Sequence, residues 1–294
     1  MKKLATSLIA SALLLGASAC SQDPNLKLAE TQPVNAVLEL IYGQLLQLEP
    51  VGGRRIAERA LRRADLSIED QSRLEFALAV TFENYQPKSD GMIQAAQELF
   101  RKVAERSPEL APKAILHIAR SYEVHLSKPE PESAVVQYKI LLEKYPESEV
   151  AAEATLRLGQ NLLWRSNEAQ RRRGREVLDA FLAAHPGHEL AVAMHLALAD
   201  AAVCREQYDD AVEHLIAAYE GGILPYKRRW QALYQIGNIA YLRLNRMDIA
   251  EKYYTIAVRD YWNTSSAFEA KKRIEEIRAK RAAGEPAPSA EGKG

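Results

Sequence analysis

ALYQIGNIAYLRLNRMDIAEKYYTIAV, residues 232–258, decides the fold. In its first half Leu233, Ile236 and Ala240 recur at helical spacing around a small residue, Gly237. Asn245 interrupts, and the second half carries Ala250, Tyr254 and Ala257 at intervals of four and three. A small residue on each helix lets the other approach closely. The stretch therefore predicts a helical hairpin with Ala250 13 positions after Gly237.

Outward from this hairpin the pattern repeats. Ala57, Ala96, Ala134, Gly174, Ala211 and Ala250 are spaced 39, 38, 40, 37 and 39. Four residues after each stands a large side chain: Leu61, Phe100, Tyr138, Leu178, Leu215 and Tyr254. Seven after each is Ala64, Val103, Leu141, Phe181, Ala218 or Ala257, and Pro108, Pro146 and Pro186 follow three of the marks by twelve. A second ladder, Ala79, Ala119, Gly159, Ala199 and Gly237, runs at 40, 40, 40 and 38, with Gly43 at its head. A fixed period of this length marks a helical solenoid. Gly174 reads as its weak rung, and Cys204 as a small apolar filler.

Six helix pairs are expected: 34–48 with 53–64, 69–86 with 92–106, 109–125 with 131–144, 148–165 with 170–184, 188–205 with 207–219, and 227–244 with 246–261. Pro50-Val-Gly-Gly53 reads as a turn, as do Gly221-Gly222 and Asn245. A last helix, 264–281, would cap the stack through Ala267, Phe268, Ile274 and Ile277.

These residues resemble the tetratricopeptide repeat family, whose hairpin pattern is matched by Gly237, Ala250, Tyr254 and Ala257, and by Ala134, Tyr138, Leu141 and Pro146. The tract YKILLEKYPESEVAAEATLRLGQNLL, 138–163, looks like the repeats of bacterial envelope lipoproteins of the BamD and YbgF/CpoB type. The turns are longer than the family norm, and the first repeat is degenerate. The resemblance implies an all-α, right-handed superhelical solenoid over 34–282, serving as a scaffold rather than an enzyme, with envelope proteins as partners. In that family the first helices line a concave groove, and the residue after the small mark points into it. The corresponding residues are Val80, Arg120, Gln160, Asp200 and Asn238, with Glu123 and Tyr241 one turn on. Arg120 would make a charge-assisted contact and Asn238 a backbone-directed one. Trp230 and Tyr234 add aromatic contacts, although residues at such spacing also serve as core.

The N-terminus is a separate object. Lys2 and Lys3 precede an uncharged run, Leu4 to Ala19, whose 16 residues fall short of a bilayer span. Residues 1–19 read as a signal peptide. LLLGASAC resembles a lipobox with Cys20 as the acylated residue, although Ala17 stands where Leu is more usual. Residues 20–33 would be an irregular tether, with Pro24, Asn25 and Pro33 opposing regular structure. By resemblance to sorting rules, Ser21 fits transfer to the periplasmic face of the outer membrane; ordinary cleavage would instead leave a soluble periplasmic protein. The tail 283–294 reads as disordered.

Thirty-nine basic and 39 acidic residues give no net charge, which argues against a nucleic-acid binder. Arg171, Arg172, Arg173 and Arg175 form a local basic cluster, as do Lys227, Arg228 and Arg229. They read as solvated turns or as contacts for an anionic lipid, glycan or protein. The chain has no Gly-rich phosphate loop, GxSxG, HExxH or CxxC, so no cofactor or catalytic residue is expected. His188, His195 and His214 are the one conceivable metal set; they read as surface or turn residues. A peptide- or glycan-binding module is the alternative to a scaffold.

Overall fold

Prolines and short polar side chains decide where the helices begin. Pro24, Pro50 and Pro131 each open a helix, where a fixed φ and a missing N–H cost nothing. Ser67 and Asn167 accept the N–H of Asp70 at 3.0 Å and of Gln170 at 3.1 Å, satisfying donors that the helix leaves orphaned. The computed structural model describes residues 23–222 and 226–283, and there is no strand among them. The signal segment 1–19, Cys20 and the tail from residue 284 lie outside the described residues. No helix of the described residues is long and apolar enough to cross a membrane.

The chain divides into two compact units, with the boundary between Ser148 and Glu149. The first holds α1 (Pro24–Thr31), α2 (Val34–Leu46), α3 (Pro50–Ala60), α4 (Ile68–Glu83), α5 (Asp90–Arg106), α6 (Ala111–Arg120) and α7 (Pro131–Lys144). Its hairpins are α2–α3, α4–α5 and α6–α7, stacked through α3 on α4 and α5 on α6. The second holds α8 (Ala151–Leu163), α9 (Glu168–Ala184), α10 (Ala191–Val203), α11 (Tyr208–Glu220), α12 (Tyr226–Leu242), α13 (Met247–Asp260) and α14 (Ser265–Ala283). There α8–α9, α10–α11 and α12–α13 pair, and α14 closes the unit against α13 and α12. Short turns before α11 and α13 each hold one left-handed residue, Glu206 (φ 59°) and Asn245 (φ 59°), five positions ahead of a ladder alanine. The predicted all-α hairpin repeat is what each unit contains.

The ladder is the core. Ala57, Ala96, Ala134, Ala211 and Ala250 are fully buried, as are Phe100, Tyr138, Leu178 and Tyr254. Where the small mark is glycine, the reason is contact. A Cβ on Gly159 would sit 2.4 Å from Cγ of Leu178, and one on Gly237 would sit 2.4 Å from the ring of Tyr254. Gly174 is no weak rung. Its Cβ would lie 2.9 Å from the Leu163 nitrogen and 3.0 Å from the Gly159 carbonyl, so α9 meets the backbone of α8 there.

Several expectations are corrected. Residues 24–31 form a helix rather than an irregular tether: Pro24 takes the first position, Asp23 accepts the Asn25 N–H at 3.0 Å, and Ala29 is buried where α1 packs on α3. Pro50-Val-Gly-Gly53 is the first turn of α3. Gly53 serves packing, since its Cβ would lie 3.2 Å from the Ile41 carbonyl. Gly43 has no atom within 4 Å of a Cβ and so is no rung. Helix α3 stops at Ala60, leaving Ala64 exposed, which accounts for the degenerate first repeat. Phe268 is 61% exposed beneath Lys272, and Ala270 takes its place in the cap. Cys204 is exposed at the end of α10 rather than buried.

Two glycines therefore behave oppositely. Gly174→Ala should lose about 1–3 kcal/mol, because backbone cannot step aside as a side chain can. Gly43→Ala should gain about 0.5–1 kcal/mol from helix propensity alone. Urea unfolding of both variants checks the pair, and equal effects would contradict the packing described.

Candidate functional site

A tyrosine in a ladder position brings a hydroxyl toward the core, and that group needs an acceptor. Two of the expected groove residues supply it. Tyr138 donates to Oε2 of Glu123 at 2.5 Å, and Tyr254 donates to Oδ1 of Asn238 at 2.6 Å. Each bond runs from the second helix of a hairpin back to its first half, but to different positions: Asn238 directly follows the small residue Gly237 within α12, whereas Glu123 lies a turn beyond Ala119. Burial pushes the Tyr254 phenol well above its usual range, so it stays a donor at any ordinary pH.

Glu123 sits in a π-helical turn, Ser121–His125, that follows α6 where a continuous helix to 125 was expected. The Ser121 hydroxyl accepts from Gln97 at 2.7 Å and donates to the Ile118 carbonyl at 2.7 Å, and Leu126 N–H closes on Ser121 at 3.2 Å. Polar insertion of this kind widens a helix, and such turns recur at functional positions.

The remaining candidates separate by exposure. In the first unit Val80 and Arg120 are half-buried on α4 and α6. In the second, Gln160 is half-buried on α8 and Asp200 is exposed on α10. Desolvation by neighbouring atoms raises the Asp200 carboxyl above its ordinary value, with Arg228 opposing. Tyr241 is not a surface residue. It is 1% exposed, within the core shared by α12, α13 and α14, with the ammonium of Lys280 5.4 Å from its ring. Trp230 and Tyr234 are half-buried against that same core. The exposed tryptophans are Trp164 and Trp262, at 58% and 77%, neither of which the repeat pattern points to.

Among the histidines, His195 and His214 do meet, Nδ1 to Nδ1 at 3.1 Å across α10 and α11. His188 does not join them. Its Nδ1 accepts the Leu190 N–H at 3.1 Å, and its ring packs on Phe181. No group of three or more His, Cys, Asp or Glu suited to a metal ion occurs among the described residues. His117 is neither a surface nor a turn residue. Its Nδ1 lies 2.7 Å from the buried carboxylate of Glu83, and its ring stacks on Phe100 at 4.8 Å. The pair joins α4 to α6, 34 residues apart, and no local spacing rule announces it.

No family model matches this chain, and no curated protein matches it. A crystal structure of yeast Tom70 aligns at 14% identity over 94% of this chain and 67% of that one, with a TM-score of 0.39. Likeness at that level carries no argument about function. None of these comparisons supports the envelope-lipoprotein resemblance of residues 138–163.

Two outcomes follow. Asn238→Ala strands the Tyr254 hydroxyl and should cost about 1–3 kcal/mol in chemical unfolding, whereas Tyr254→Phe should cost about 1 kcal/mol; no loss in either would contradict a structural role. Burial depresses both His195 and His214, helped at His195 by His214 and opposed there by Asp179; around His214, Asp179, Asp210 and Glu213 oppose and Arg175 assists. The unfolded state then binds protons more readily than the folded one. Stability should be complete above the ordinary histidine value of about 6.5 and fall as pH drops below it. His214→Gln should flatten that part of the curve of melting temperature against pH.

Proposed function

We propose that this chain is a non-enzymatic scaffold for protein–protein interaction, anchored by lipid on Cys20 at the periplasmic face of an outer membrane, within an envelope assembly complex. One observation carries the scaffold reading. Beside a ladder whose composition hardly varies, the next residue changes from repeat to repeat: Arg120, Gln160 and Asp200 are all at least partly accessible. That variety beside a nearly invariant ladder suits recognition. Glu123 and Asn238 position ladder tyrosines and help recognition only indirectly. The lipid anchor and the compartment rest on the N-terminal sequence, MKKLATSLIASALLLGASAC.

Affinity purification of the full chain in mild detergent tests the scaffold. Envelope proteins should be retained at near-stoichiometric ratio, and Arg120→Ala with Gln160→Ala and Asp200→Ala should weaken retention at least tenfold while the variant stays folded. Recovery of the chain alone, stabilised by added peptide or glycan, would point to a binding module instead. Metabolic labelling with a fatty acid should mark the wild type and not Cys20→Ala; an unlabelled wild type would overturn the anchor.

A further inference from the structure

The basic cluster of α9 is not scattered over solvent. Arg171, Arg172 and Arg175 line a cavity of about 260 Å3 together with Arg205, from the turn between α10 and α11, and His214. Exposed Glu168 is the one carboxylate among the described residues that line it. An apolar part of the wall comes from the α8 and α10 side, including Leu198.

Charge in this cavity is only partly cancelled. Arg175 is held by Asp210 at 2.5 Å and Asp179 at 3.3 Å, and Arg172 stands 3.7 Å from Glu176. Arg171 and Arg205 are held differently. Arg171 donates to the carbonyls of Arg165, at 3.0 Å, and Ser166. Arg205 donates to the carbonyls of Ala201, at 2.8 Å, and Leu163. Carbonyls fix a guanidinium in place without neutralising it. The Arg205 guanidinium is destabilised first by burial and then by Arg171 nearby.

Another cavity, lined by Arg59, Arg62 and Arg63, shows the contrast: Glu30 pairs with Arg59 and Asp65 with Arg63 at 2.7 Å. Local helix physics also disfavours the α9 arrangement. Arg171 closes the first turn of α9, where a cation opposes the helix dipole. An anion seated beside it would relieve that opposition.

We propose that this cavity is an oxyanion site that takes the phosphate group of a small phosphomonoester or of a lipid headgroup. A phosphomonoester carries about two negative charges near neutral pH, matching two guanidiniums that have no carboxylate partner among the described residues. Its tetrahedral oxygens can face Arg171 from α9 and Arg205 from the turn between α10 and α11 at once. A carboxylate is matched by a single guanidinium fork and would leave the second charge exposed.

Titration calorimetry of the full chain with inorganic phosphate, at constant ionic strength, should give saturable one-site binding. Affinity should fall at least tenfold in Arg171→Gln and in Arg205→Gln, and be unchanged in Lys271→Gln, on α14. Arg172→Gln, at an exposed side chain, keeps the test decisive if either of the first two melts early, and should weaken binding severalfold. Co-sedimentation separates the sources. Preference for vesicles containing phosphatidic acid over phosphatidylcholine alone, lost in Arg171→Gln, identifies a lipid headgroup. Phosphate binding without that preference identifies a soluble phosphomonoester. The proposal is overturned if neither phosphate nor phosphatidic acid is bound, or if binding survives both Arg171→Gln and Arg172→Gln.

Discussion

At two hairpin crossings of the second unit, a glycine on the first helix receives the bulk of a large side chain on the second. Gly159 faces Leu178 and Gly237 faces Tyr254, and a single added Cβ would overlap either partner. The helices involved are 13–17 residues long, which is marginal for an isolated helix in water. Their stability must come from these crossings. Period, turn length and placement of polar residues all follow from keeping the two helices close at one point.

The crossing also sorts the polar residues. Where the large residue is leucine or phenylalanine, the first helix owes it nothing but room. Where it is tyrosine, the first helix must supply an acceptor, and Glu123 and Asn238 do so. Residues that look like a recognition set are thus not all alike: Glu123 and Asn238 complete the core's hydrogen bonding, whereas Gln160 and Asp200 stand beside the ladder at partly or fully exposed positions. In the second unit, Gly174 extends the same constraint to an arginine cavity. By bringing α9 against the backbone of α8 at Leu163, it places Arg171 and Arg175 opposite Arg205, which itself clamps the Leu163 carbonyl.

Periodicity was legible because packing is periodic. The hairpins, the turns at Glu206 and Asn245 and, Phe268 apart, the buried face of the last helix could be read from small and large residues at fixed intervals. Local chemistry misled where two physical roles share one residue type. Gly52 and Gly53 read as turn residues, yet a helix begun by Pro50 runs through both. Pro24 read as a breaker, yet it opens α1. Tyr241 read as a groove residue because its place in the first helix was right, but α14 covers it, and no spacing rule gives the landing point of a terminal helix. Pairs such as Glu83 with His117 were hidden for a related reason: helix phase and hairpin stacking must both be known before they meet. The arginine cluster was visible, but its convergence with Arg205 was not.

The central claim is that small faces large where the ladder residues cross, and a double-mutant cycle on Gly159 and Leu178 tests it most directly. Gly159→Ala overpacks the crossing, and Leu178→Ala empties it. If the two residues occupy the same space, the double variant should be more stable than the sum of the single losses predicts, by about 1 kcal/mol or more. Losses that add to within about 0.5 kcal/mol would show that the residues do not share the crossing, and would contradict the account.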